Sequence, residues 1–466
     1  MPPRRPPLPA FVLAAYSVVL GMAMVLSGRM PSRAEYDHKL YHEPTIRQFA
    51  AQWPDFDLWH YKSATTPGYH ILQAAVVKFI SPSLLALQIT GVLIGAALSF
   101  LLARGLSRHF PPPLAIAFAL PLASSTYIAQ SSAYLLPDNL GWLGVLAVML
   151  LALRDRFTFG VLVSSGLILL GLVMVRQIHA WTAGLVWLAA WLNGPGVRGT
   201  PLLPRTALFA DLGLQIRRAA AALAVTLPAI LLLGLFYRYW GGLVPPVFQG
   251  WYHSGNPAAP VFVLAVFGVF APFFVLEWWP GLRALWTGQR WVLAALLAAT
   301  ALLGVLVPTT YDVSAGRFSG AWGLAARTPA IGHTSPLIVA LALLGTASLL
   351  GLAVLNEPRR RLILLGAVLG YSAACAANHD VFQRYIEPFA LLVLALLSAG
   401  SGVEPRPRRA FGPTFLAAGF VLLTATTLAK SSARIDAPPP AASAPGAPPT
   451  PAELPRPPMP PGKRFL

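Results

Sequence analysis

Between Arg29 and His70 the chain reads RMPSRAEYDHKLYHEPTIRQFAAQWPDFDLWHYKSATTPGYH, a run dense in groups able to do acid–base chemistry. Asp37, Glu43, Asp55 and Asp57 supply carboxylates, and four of the chain's nine histidines, His38, His42, His60 and His70, fall in the same stretch. A carboxylate in a partly desolvated membrane interface has its pKa raised toward that of a general base, which is the chemistry Asp37 offers. A solvated loop acid at a helix start is the plainer reading of the same residue. Asp138, in LLPDNLGW, presents a similar choice. An acid at a helix N-terminus gains about 0.3–1 kcal/mol from the dipole, so it reads as a cap or as a second acid beside a substrate.

The cationic candidates lie farther along. Arg176 and Gln177 close an apolar run just before Trp181. A charge at the centre of such a span is unfavourable by about 2.5–3.5 kcal/mol, and by less near its end. Arg176 therefore calls for a partner, either an acid from another loop or a phosphate, with snorkelling of its side chain to the interface as the plainer reading. NHDVFQRYIEP places His379, Asp380, Arg384 and Tyr385 between two apolar runs. Arginine offers a fork of donors that suits phosphate oxygens, and pairing of Asp380 with Arg384 along one helix is the alternative. The histidines are scattered, with no ligand spacing for a metal, no phosphate-cradling glycine loop and no nucleophile elbow.

The elements that must position these residues are membrane helices. Of 466 residues, 56% are hydrophobic and only 11% charged, and the mean hydropathy is +0.63. That composition excludes an ordinary soluble domain, and the repeated apolar runs indicate helices rather than a barrel. The net charge of +18 comes almost wholly from arginine. These arginines cluster between apolar runs, where they set orientation in the membrane; no basic, aromatic-interleaved module for nucleic acid is present. The single cysteine, Cys375, can form no intramolecular disulfide.

Placing Arg4 and Arg5 in the cytoplasm gives an uncleaved signal anchor and then about 12–13 spans, ordered by the arginines of the short loops. Residues 28–81 become a large first extracytoplasmic loop, closed by a short interfacial helix over 69–81. Asp37, Asp138, Asp312 and His379–Asp380 then fall on one face. Thr65 and Thr66 are placed to cap the helix after Pro67. The Pro/Ala-rich segment 430–466 reads as a disordered tail.

Within this frame the order Tyr36-Asp37, Tyr41-His42, Pro44-Thr45-Ile46, Asp57-Leu58, Tyr61 and Ser63-Ala64-Thr65-Thr66-Pro67-Gly68-Tyr69-His70 resembles a known pattern. It is similar to the first luminal loop of the dolichyl-phosphate-glucose-dependent α-1,2-glucosyltransferases and their bacterial relatives. Arg176-Gln177 ahead of Trp181 resembles that family's Arg-Gln-(Thr)-Asn-x-x-Trp segment. Tyr239-Trp240-Gly241-Gly242 with Val244 resembles its Trp-Asn-Gly-Gly-Ile-Val segment. One departure stands out: His38 occupies the place of the family's glutamate.

The resemblance implies a polytopic membrane glycosyltransferase of the GT-C superfamily. It further implies a polyprenyl-phosphate sugar donor, inverting transfer of a hexose without a metal or cofactor, and a glycan, lipid or protein acceptor. Asp37 is the expected base. His38, His42, Asp57 and Asp138 are the expected second acid or acceptor contacts, and Arg176, Gln177, His379, Arg384 and Tyr385 the contacts to donor phosphate. An Ala/Pro/Arg-rich composition is compatible with a bacterial plasma membrane and a site facing the periplasm. A transporter of lipid-linked sugars and a non-catalytic relative are the alternatives.

Overall fold

The computed structural model describes residues 7–28, 33–154, 156–193, 211–250, 255–308, 320–330 and 335–432. Among them all regular structure is helical and no strand occurs. The expected tail, 430–466, lies outside the described residues beyond Ser432, as do Arg198, Arg205, Tyr311, Asp312 and Arg317.

Among the described residues six helices are long and apolar enough to cross a membrane, or seven if the bent pair Pro112–Ser124 and Thr126–Ala133 forms one span. The protein is therefore a polytopic, all-α membrane protein. The six fall short of the expected 12–13 for two physical reasons. Helices such as Asp138–Ala152 and Phe159–Val175 are apolar but shorter. In addition, the apolar stretch Ala259–Leu306 is one of the six, yet its 48 residues would extend about 70 Å at 1.5 Å per residue, far beyond a hydrocarbon core of about 30 Å. It breaks at Gln289, where φ is −142° and ψ 41°. The chain packs Trp278 and Gly281 near Gly351 before that break and Gly304 near Val339 after it, so it runs out along one helix and returns along it.

The first helix, α1 (Leu8–Ser27), belongs to this bundle. It packs on the helix Leu84–Leu106, with Ser17 Oγ donating to Ser99 Oγ at 2.7 Å. Close helix contacts depend on glycine: at Gly268 and Gly345 a neighbouring backbone leaves no room for a Cβ.

Turns gather at two ends of the bundle. At one end Arg359 donates to the carbonyls of Ala152 and Arg154, Asn193 bonds both ways with the backbone of Phe157, and Arg360 meets His109. At the other end lie Asp37, Asp138, Arg176, Gly241 and Arg384. The short-loop arginines Arg359 and Arg360 thus group apart from Asp37 and Asp138, as the charge pattern suggests.

The polar segment after α1 is helical. α2 (Arg33–Asp37) runs through a π-helical turn (His38–His42) into α3 (Glu43–Gln52). α4 (Gly68–Phe79) folds back on α3, burying Tyr69, His70, Gln73, Ala74 and Val76 on one side. Twelve residues span only about 18 Å, too short to cross, while Phe79 and Ile80 remain exposed beyond them. The threonines do not cap α4, whose N-cap is Pro67 with no side-chain bond. Instead Thr66 Oγ1 donates to Val173 O at 2.6 Å. Gly68 is needed for the same approach, since a Cβ there would lie 2.7 Å from Met174 O.

Candidate functional site

A cavity of about 1180 Å³ opens at the acidic end of the bundle. Its polar wall is built from four places. Asp37 ends α2 and Asp138 begins α8 (Asp138–Ala152), while Arg384 and Tyr385 sit in the first turn of α18 (Gln383–Gly400). Arg176, the C-cap of α9 (Phe159–Val175), completes it.

These residues form two ion pairs around one aromatic ring. Arg384 Nη1 lies 2.7 Å from Asp37 Oδ2, and its Nη2 donates to the Tyr385 hydroxyl at 2.9 Å. Arg176 Nη1 pairs with Asp138 Oδ1. The guanidinium carbons of Arg176 and Arg384 stand 4.6 and 4.9 Å from the centre of the Tyr385 ring, within cation–π range. Asp138 is therefore neither a cap nor a lone second acid. Its helix begins after Pro137, and its carboxylate is the partner that Arg176 required.

The π-helical turn separates neighbours. Asp37, Tyr41 and His42 line the cavity. His38 faces away: its Nδ1 accepts from the backbone N–H of Leu135 at 3.2 Å, and its Nε2 lies 3.5 Å from Glu43. His38 thus pins the π-helical turn to the loop before Asp138. Burial lowers its pKa, against the opposing effect of Glu43. His42 Nδ1 and His70 Nε2 are 3.0 Å apart with stacked rings. Burial, helped by the charges of Arg384, His38 and Arg176, holds His42 down at about 3, so it is neutral.

Two expected site residues have other employment. Asp57 does not line the cavity; its Oδ1 accepts from the N–H groups of Trp59 and His60, and its Oδ2 lies 2.8 Å from His60 Nδ1. It closes its own turn. Gln177 reaches the cavity wall, but its amide donates to Ala64 O and Leu243 O and accepts from Thr66 N–H. Its polar atoms tie the Thr-Thr-Pro-Gly loop to the Gly241–Val244 loop. His379 lines the cavity beside Asp380, its Nε2 4.0 Å from the Asp380 carboxylate, and its carbonyl accepts from Asn256. Tyr61 is fully buried with its hydroxyl on Thr65 O, a packing role rather than a sugar platform.

No family model, no curated protein and no solved structure matches this chain. The chemistry of the cavity therefore has to be read from its own residues.

Sequence reasoning missed two parts of that cavity. One is the broken span: helices α6 (Pro112–Ser124) and α7 (Thr126–Ala133) meet at a 62° bend. Tyr127 and Gln130 of α7 line the cavity, and Ser125 at the break donates to buried Glu387 at 2.6 Å. The polar run Ser124–Tyr127 inside an apolar stretch was the available signal. The other is an apolar extension between α10 (Thr182–Trp191), α11 (Leu212–Trp240) and α17 (Pro358–Ala376). It is lined by Gly184, Trp187, Leu233, Tyr237, Gly370 and Ala373. Trp187 and Tyr237 are exposed, so the cavity opens on the flank of the bundle. A Cβ on Gly184 would meet nothing within 4 Å.

Proposed function

We propose that the protein is an inverting glycosyltransferase with GT-C-like architecture, moving a hexose from a polyprenyl-phosphate donor to an extracytoplasmic glycan, lipid or protein acceptor. The observation that carries this reading is the shape of one cavity. Two carboxylates and two guanidinium groups converge at its polar end, and an apolar groove leads from them to the flank of the bundle. A lipid-linked sugar phosphate has that same division between charged head and apolar tail.

In this mechanism the acceptor hydroxyl gives its proton to Asp37 as its oxygen forms a bond to the anomeric carbon. The bond from that carbon to the phosphate oxygen breaks on the opposite face, and its electron pair leaves with the polyprenyl phosphate. The donor's phosphodiester carries one negative charge and the product monoester up to two. Arg176 and Arg384 are placed to stabilise that increase. Tyr385 orients both guanidinium groups, and neutral His42 is a cavity-wall contact for the acceptor. His379 contributes at the rim.

A transporter of lipid-linked sugars is the second reading, and the broken span α6–α7 beside the cavity favours it, since transporters build sites on interrupted helices. Membranes containing the protein, given radiolabelled polyprenyl-phosphate hexoses, separate the two. Transfer yields free polyprenyl phosphate and labelled acceptor. Movement of intact lipid-linked sugar between leaflets, with no lipid phosphate released, would favour the transporter.

A further inference from the structure

The residue expected to act as base and the residue expected to hold phosphate are bonded to each other. Arg384 Nη1 lies on Asp37 Oδ2 at 2.7 Å, and both line the cavity. Arg384 also has donor capacity in reserve: its Nε is buried with no hydrogen-bond partner among the described residues. Its other contacts are the Tyr385 hydroxyl, the Tyr385 ring and the Phe382 ring. Those contacts fix the plane of the guanidinium without neutralising its charge.

The second pair repeats the arrangement, with Arg176 on Asp138. The two arginines and two aspartates balance in charge. A phosphate entering this wall meets arginines already compensated, and it gains Nη1 of Arg384 only by displacing a carboxylate.

We propose that Arg384 is handed over from Asp37 to the donor phosphate when the phosphate site fills. The handover rests on the reading of this cavity as a lipid-phosphate site. It couples donor binding to the catalytic carboxylate: a bound phosphate loosens the Arg384–Asp37 pair. Asp37 and the phosphate then compete for one guanidinium, and by linkage each weakens the other's hold by the same factor.

The handover predicts a gain of binding on removal of the base. Full-length protein in detergent is titrated with farnesyl phosphate, a short isoprenoid phosphate, and with farnesol, which has the tail alone. Wild type should bind farnesyl phosphate more tightly than farnesol. Equal binding of the two would overturn the lipid-phosphate reading itself. Asp37→Asn should tighten farnesyl phosphate by about tenfold and leave farnesol unchanged. Asp37→Ser serves as a second variant with the same expected gain if the Asn variant does not fold. The gain should vanish in an Arg384→Gln background. Unchanged or weaker phosphate binding by the Asp37 variants overturns the handover alone. So does a gain that persists without Arg384, since that would be a diffuse charge effect.

Discussion

Two arginine–carboxylate pairs, at opposite ends of the bundle, use the same chemistry to different ends. Arg409 and Glu277 are almost wholly buried, at 3% and 1% side-chain exposure. Arg409 is saturated: Nε donates to Glu277 Oε1 at 2.7 Å, Nη2 reaches Oε2, Nη1 takes the carbonyls of Val403 and Glu404, and Phe110 and Phe118 pack against the guanidinium. Arg384 and Asp37 keep 20% and 12% exposure and share a cavity wall, with the arginine's Nε unpartnered among the described residues. A closed pair locks helices together. An open pair can exchange partners, and that capacity distinguishes a reacting site from a structural clamp.

The comparison can be broken by mutation. Arg409→Ala strands a buried carboxylate and should cost about 3–5 kcal/mol of stability, read as a large fall in the unfolding midpoint. Replacing both partners, with Arg409→Leu and Glu277→Met, should recover most of that loss. Arg384→Gln should instead leave the midpoint nearly intact while lowering sugar transfer by about 10²–10³. A fall in stability matching that of Arg409→Ala would show that both pairs are clamps.

Two smaller effects sharpen the picture around the open pair. Burial lowers His42 from 6.5 to about 3 and His70 well below 6.5. Between those limits the unfolded chain binds protons that the native His42 and His70 refuse, so stability rises with pH in this window and falls on acidification below 6.5. The slope should be about 1.4 kcal/mol per pH unit for each histidine, and His70→Phe should flatten part of it in pH-dependent unfolding. Gly184→Leu points into open groove and replaces a helical glycine. It should stabilise the fold by about 0.5–1 kcal/mol and yet raise the KM for long-chain donors. An unchanged KM would remove the groove from the account.

Much of the fold was legible because membrane helices are written in composition and in arginine placement. The grouping of Arg359 with Arg154 at one end, and of Asp37 with Asp138 and Arg384 at the other, follows from that pattern. Span lengths were less legible: the sequence ends one span near residue 276 and begins the next near 291, whereas the helix that starts at Val275 runs on to Gln289 before it breaks and turns back. In the site, Asp37, Asp138, Arg176 and Arg384 could be singled out by residue type, but their pairing could not. Arg384 had Asp380 four residues away as a local partner, and the fold gave it Asp37 from the other end of the chain. Asp57 and Gln177 looked equally suited to chemistry. Only their hydrogen bonds to backbone show that one closes a turn and the other braces two loops.

The central claim is that the open pair is the reacting site, and Asp37→Asn tests it most directly. Purified wild type and variant, matched for folded fraction, are given a polyprenyl-phosphate hexose that the wild type uses, and released lipid phosphate is measured. Loss of the base should slow release by about 10²–10⁴ at an unchanged unfolding midpoint. Equal release by the two proteins would contradict the account.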